Sequence, residues 1–183
     1  MVYIIIGIIV VLLIAIYTLV TYNQLQKLKI RVEEGFSTMD VYLKKRWDLI
    51  PQLVEVVKGY MKHEKELLQE LTNIRTSSYN NLSFQDKANT TDQLSEDLAK
   101  IIAVSENYPE LKASTNFVHL SEEITKVEED IANARKYYNG TVRNINEKIV
   151  IFPSSIIASI FKFKKEKMFE AKFEERNDVK IEM

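Results

Sequence analysis

From Met1 to Gln26 the chain reads MVYIIIGIIVVLLIAIYTLVTYNQLQ, with no charged side chain. Its apolar part, Val2 to Val20, is about 19 residues long, and roughly 20 residues of helix cross a hydrocarbon core about 30 Å thick. Inside a bilayer every backbone N–H and C=O must find its partner within the protein, which makes helix the conformation of a lone span. A secretory signal carries a basic leader, a shorter apolar run and a small-residue cleavage site. None of these is present, so residues 1–21 read as an uncleaved transmembrane anchor. Tyr3 near one end, and Tyr17 and Tyr22 near the other, suit the interfacial preference of amphipathic rings. Lys27, Lys29 and Arg31 come directly after the span and no Lys or Arg precedes it. That asymmetry predicts a single-pass protein of the cell membrane with a short N-terminus outside and the bulk of the chain in the cytoplasm.

Beyond the anchor, apolar residues recur at Leu25, Leu28, Val32, Phe36, Met39, Leu43, Trp47, Ile50, Val54, Val57 and Met61. Their mean spacing is about 3.6, the period of an amphipathic helix. With only 4 Gly and 3 Pro in 183 residues, few turns are available to interrupt such helices. The stretch KKRWDLIPQL, residues 44–53, is the one doubtful place. Pro51 cannot donate to the carbonyl of Trp47, which allows a kinked continuous helix. Alternatively, a first helix ends near Trp47 and a second begins at Asp48 as its cap, with Pro51 in the first turn, where no donor is needed. Proline disfavours helical conformation at Ile50. One helix from Tyr22 to Ser78 would also be about 85 Å long at 1.5 Å per residue. The joint is the favoured reading, with Lys44, Lys45 and Arg46 at the C-terminal end of the first helix and Trp47 packing the corner.

The second helix is expected from Pro51 to about Ser78, with Gly59 inside it marking a close approach by a neighbour. Residues 77–92, polar and rich in turn formers, read as a loop. A third helix is expected from Asp92 to about Glu106, broken at Pro109. A fourth runs from Asn116 to Val150 and stops before Pro153, burying Val118, Ile124, Val127, Ile131, Ala134, Tyr138, Val142 and Ile145. The expected fold is therefore all-α, an N-terminal transmembrane helix continuing into an up-and-down four-helix bundle over residues 22–153. The tail, 154–183, is amphipathic and interleaves Ile156, Ile157, Ile160, Phe161, Phe163, Phe169 and Phe173 with Lys162, Lys164, Lys165 and Lys167. It either docks on the bundle as a short helix with its lysines snorkelling or lies in the plane of an anionic leaflet.

Known catalytic patterns are missing. A chain with no Cys has no disulfide, thiolate ligand or cysteine nucleophile. His63 and His119 lie on different segments, and HEKE at 63–66 lacks the second histidine of the zinc pattern. Phosphate-cradling glycine loops, nucleophile elbows and kinase signatures do not occur. The carboxylates Glu128, Glu129 and Asp130 lack the Glu-x-x-His context of a di-iron bundle. No catalytic residue, metal ligand or cofactor is expected. The net charge of −1 argues against a nucleic-acid partner, and Glu166, Glu170, Glu174 and Glu175 dilute the basic field of the tail.

Two blocks are more specific than any of these. YNQLQKLKIRVEEGFSTMDVYLKKRWDLIPQLVEVVKGYMKHE, residues 22–64, and ARKYYNGTVRNINEKIVIFPSSIIASIFKF, residues 134–163, resemble the LemA family of bacterial membrane-anchored proteins. The likeness extends over nearly the whole chain. It implies a membrane helix followed by a four-helix bundle, with a short extracellular N-terminus. It also implies a glycine between two phenylalanines where this chain has Lys162. The family has no agreed activity, so no site residue is carried over. Relatives in membrane compartments such as magnetosomes point toward scaffolding.

The expected function is thus a non-enzymatic interaction or scaffolding module at the bacterial inner membrane, with the lipid bilayer and a protein of unknown identity as partners. The alternative is a lipid-binding, membrane-organising protein acting through residues 154–173. The candidate contact residues are Lys44, Lys45 and Arg46 at the joint and Lys162, Lys164, Lys165 and Lys167 in the tail.

Overall fold

The structure, a computed structural model, describes residues 1–61, 65–74 and 79–169. Its helices are α1 (Val2–Lys58), α2 (Lys65–Ile74), α3 (Phe84–Ser105), α4 (Pro109–Lys112), α5 (Thr115–Val150) and α6 (Ser154–Ile160), with a 3-10 turn at Tyr79–Asn81. No strand occurs among the described residues, in agreement with the all-α expectation. The chain forms two compact units, one from Met1–Thr38 and Ala134–Met168, the other from Met39–Asn133 and the chain from Phe169.

The expected joint at residues 47–51 is not formed, because α1 continues through Pro51 to Lys58. An interior proline costs a helix about 3 kcal/mol. Trp47, Ile50 and Val57, which flank it on the apolar stripe, are all buried, as is Leu53 in place of the part-exposed Val54. Each such side chain contributes about 1.5–3 kcal/mol when withdrawn from water, so packing outweighs the lost backbone bond. Asp48, expected as a cap, instead pairs with Lys44 one turn earlier. Gly59 lies in the turn just after α1, and a side chain there would meet nothing closer than the Val56 carbonyl at 3.9 Å. Among the described residues it therefore marks no close approach.

The glycine that does is Gly35. A Cβ there would sit 3.4 Å from both Thr141 Oγ1 and Tyr138 Cα, on α5. The Phe36 and Tyr138 rings meet edge to face with centroids 6.0 Å apart. Further back along α1, Gln24, Lys27 and Leu28 share a cleft with Lys148. As α1 numbers fall, α5 numbers rise, so within the first unit the two helices run antiparallel.

In the second unit α1 contributes Met39, Leu43 and Leu53 to the interior, α3 contributes Leu94, Leu98 and Ile101, and α5 contributes Ile124, Val127 and Ile131. Phe117 takes the inward position expected for Val118, which is exposed. Helix α3 starts eight residues before the expected Asp92, inside what reads as loop. The reason is local: the Ser83 hydroxyl accepts from the Asp86 N–H at 3.2 Å, and the Asp86 carboxylate accepts from the Ser83 N–H at 3.3 Å. This reciprocal capping box satisfies two donors that a helix start otherwise leaves orphaned.

Candidate functional site

The three cations of the KKRWDLIPQL stretch separate once folded. Lys44 pairs with Asp48 on its own helix, and its ammonium lies 5.9 Å from the Tyr79 ring centroid. Lys45 reaches Glu123 on α5 at 3.0 Å. Arg46 turns inward and is only 1% exposed. Its Nη1 donates to Ser95 Oγ on α3 at 2.7 Å and to Glu128 Oε1 on α5 at 2.9 Å. The Ser95 hydroxyl in turn donates to Glu128 Oε2 at 2.8 Å. One guanidinium thus joins three helices. Lys44 and Lys45 keep partly exposed side chains, while Arg46 is withdrawn from any surface role.

A second polar group lies in the same unit. The Tyr79 hydroxyl donates to Asp40 Oδ1 at 2.6 Å, and Lys87 donates to the same oxygen at 2.7 Å. Lys87 stands 4.3 Å from the Tyr79 ring centroid, and Trp47 packs against that ring at 5.6 Å. Burial, then the bond to the Asp40 carboxylate, holds the Tyr79 phenol far above its ordinary pKa. Composition gave no sign of either network, since their members lie up to 82 residues apart.

The tail lysines belong to the first unit, and Lys162, Lys164, Lys165 and Lys167 are all exposed. Helix α6 buries Ser154, Ile157 and Ala158. At its end the Phe163 N–H reaches back to the Ala158 carbonyl at 2.9 Å and the Lys162 N–H to Ser159 at 3.1 Å. These are the two bonds of a Schellman motif, whose left-handed position is usually glycine. Lys162 occupies it with φ 58°. From there the chain has no regular secondary structure and is held to α5 by side chains. Asn146 donates to the Glu166 carbonyl at 2.9 Å and accepts from its N–H at 2.8 Å, and the Tyr138 hydroxyl donates to the Lys167 carbonyl at 2.8 Å. Tyr22, where α1 leaves its apolar run, meets the Phe161 ring at a tilt of 52° with centroids 4.7 Å apart. An open cleft of about 380 Å³ is lined there by Tyr22, Gln26, Lys29, Phe161, Lys162 and Lys164. The tail from residue 170 onward, including Phe173, lies outside the described residues, as does His63.

His119 is exposed, and among the described residues no three histidine or acidic side chains gather as metal ligands. The arrangement is one of polar clamps that join helices, together with a basic, aromatic corner at the foot of an apolar helix. Helix α1 is long and apolar enough to cross a membrane by length and composition.

These features define an all-helical protein with an N-terminal candidate membrane span. The LemA family profile matches residues 35–183, more than half of the chain, and the protein belongs to the LemA family. It is 26% identical over 160 residues to Protein LemA of Metamycoplasma hominis, covering 86% of this chain and 72% of that one. Magnetosome proteins MamQ 1 and MamQ 2 of Paramagnetospirillum magneticum are each 29% identical over 75 residues. The match to each covers 41% of this chain and 28% of theirs.

Proposed function

We propose that the protein is a membrane-anchored, non-enzymatic interaction or scaffolding module, held by α1 with the chain after the span on the cytoplasmic face. The observation that carries this reading is the state of the apolar run. Ile4, Ile5, Ile6, Ile14 and Leu19, spread around α1, are all at least half exposed. A soluble monomer rarely leaves so large a contiguous apolar surface uncovered, whereas a bilayer covers it on every side. Lys27, Lys29 and Arg31, directly after the run, favour the cytoplasmic side for the remainder of the chain. The names of the magnetosome relatives, which place those proteins at a membrane compartment, support a role tied to membranes. Scaffolding fits a chain whose buried polar groups join helix to helix.

The test is proximity labelling in intact cells from a C-terminal fusion, with external protease added to cells and to spheroplasts. The expected result is protection of the C-terminus in both and a reproducible set of cytoplasmic or inner-membrane neighbours. Cleavage from outside, or labelling no different from an unrelated single-span fusion, would overturn it. The lipid-organising alternative draws support from one feature, the exposure of all four tail lysines.

A further inference from the structure

The end of α5 returns to the level at which α1 leaves its apolar run. Gly35 lies opposite Tyr138 and Thr141, and Gln24, Lys27 and Leu28 face Lys148. Continuing that antiparallel register places Val150 to Phe152 level with about residues 23–25 of α1, roughly 4.5–7.5 Å beyond Val20 along its axis. The contact between Tyr22 and Phe161 fixes the exit of α6 near the same height. Here the protein exposes Val150, Ile151, Phe152, Ile156, Ile160 and Phe161, with Phe152 at 75% and Ile160 at 65%. Lys27, Lys29, Lys162 and Lys164 are exposed around this patch, and Lys148 is part-exposed beside it.

We propose that this α5–α6 corner is a second membrane contact, its apolar residues entering the boundary between headgroups and acyl chains of an anionic leaflet beside the span. The inference rests on the reading of α1 as a span. Lipid is the occupant because the patch meets α1 at Tyr22, two residues past its apolar run, and so lies at interfacial depth. The surrounding cations match phosphate and acidic headgroups, as in other in-plane anchors. Seven residues of α6 are too few to bind a bilayer unaided. Tethering by α1 removes that requirement, since the second contact is then intramolecular and needs little intrinsic affinity.

The natural chain has no cysteine, so single-cysteine variants of the full chain report on one site each. Phe152→Cys and Ile160→Cys, carrying an environment-sensitive fluorophore, are reconstituted in phosphatidylcholine–phosphatidylglycerol vesicles containing lipids spin-labelled at a shallow acyl position. Leu12→Cys is the control for the span. Lys136→Cys, exposed on α5 about 25 Å or more beyond Val20 by the same register, is the control for water. Circular dichroism checks that each variant is helical. Both corner probes are expected to be quenched about threefold or more relative to Lys136→Cys, as befits a position about 5–10 Å into the boundary. Corner probes that match Lys136→Cys while Leu12→Cys is quenched would overturn the second contact and leave the span standing. An unquenched Leu12→Cys would overturn both. Shielding of the corner probes from lipid and from aqueous iodide alike would assign the patch to a protein and overturn the proposal. Adding Lys162→Glu and Lys164→Glu is expected to lower quenching at Phe152→Cys in these vesicles but not in phosphatidylcholine alone, and equal quenching in the two would remove its electrostatic part.

Discussion

Arg46 shows how far a residue's place in sequence can mislead about its role. Between two lysines it reads as part of a surface cation cluster, yet it is enclosed and bonded to Ser95 and Glu128. Removing one member of a buried ion pair costs about 3–5 kcal/mol where both are buried, and Glu128 keeps some access to water. Arg46→Ala is therefore expected to lose about 3 kcal/mol in urea denaturation, against less than about 1 kcal/mol for Lys44→Ala, whose pair is exposed. A result for Arg46→Ala equal to Lys44→Ala would remove the clamp from the account. Gly35 allows a sharper contrast. A Cβ at 3.4 Å from its neighbours is ordinary contact, and alanine gains about 1 kcal/mol of helix propensity over glycine. Gly35→Ala is expected to hold or raise the melting temperature. Gly35→Val, whose added methyls must enter α5, is expected to lose about 1–3 kcal/mol.

At the scale of elements, periodicity finds the apolar faces but not all the ends. The stripe from Leu25 to Met61 is real, and residues such as Val32, Met39 and Ile50 are buried as it requires. Pro51 misleads because a local backbone penalty is visible in a sequence and the packing that offsets it is not. The start of α3 is hidden for the opposite reason. Ser83 and Asp86 form a cap inside a stretch so polar that its composition argues for loop. The end of α6 is legible only through the family resemblance, which expects glycine where Lys162 sits in the left-handed region. A non-glycine residue there is strained by on the order of 1–3 kcal/mol, part of which glycine gives back through its freer unfolded chain. Lys162→Gly is expected to stabilise the chain by about 1 kcal/mol in thermal unfolding followed by circular dichroism. Destabilisation would mean that the lysine side chain matters more than the backbone beneath it.

For the whole molecule, the anchor and the all-helical class are readable because each arises from composition along a continuous stretch. The polar clamps are not, because their members come together only in the folded chain. Their effect on stability should appear at high pH. Burial, aided by the nearby Glu166 carboxylate, pushes the Tyr138 phenol up to about 12, and Tyr79 is shifted in the same direction. Unfolded phenols ionise near about 10, so above that pH the unfolded chain gives up protons that the folded chain keeps. The contribution of these groups is complete below about pH 10 and falls as pH rises through about 12. Denaturation measured across that window should show stability declining with pH, and less steeply in Tyr138→Phe. An unchanged slope in the variant would exclude Tyr138 as a source.

The Arg46 clamp also bears on how the protein is made. Glu128 lies 82 residues after Arg46 and Ser95 lies 49 after it. At a synthesis rate of about 5–20 residues per second, α1 leaves the ribosome roughly 4–16 s before its last partner. Until α3 emerges, partway through that interval, its sticky stripe lacks that partner, and until α5 emerges it stays incompletely covered. A nascent chain in that state needs a chaperone or prompt delivery to the translocon, and the apolar run, which emerges ahead of the stripe, is available to summon either.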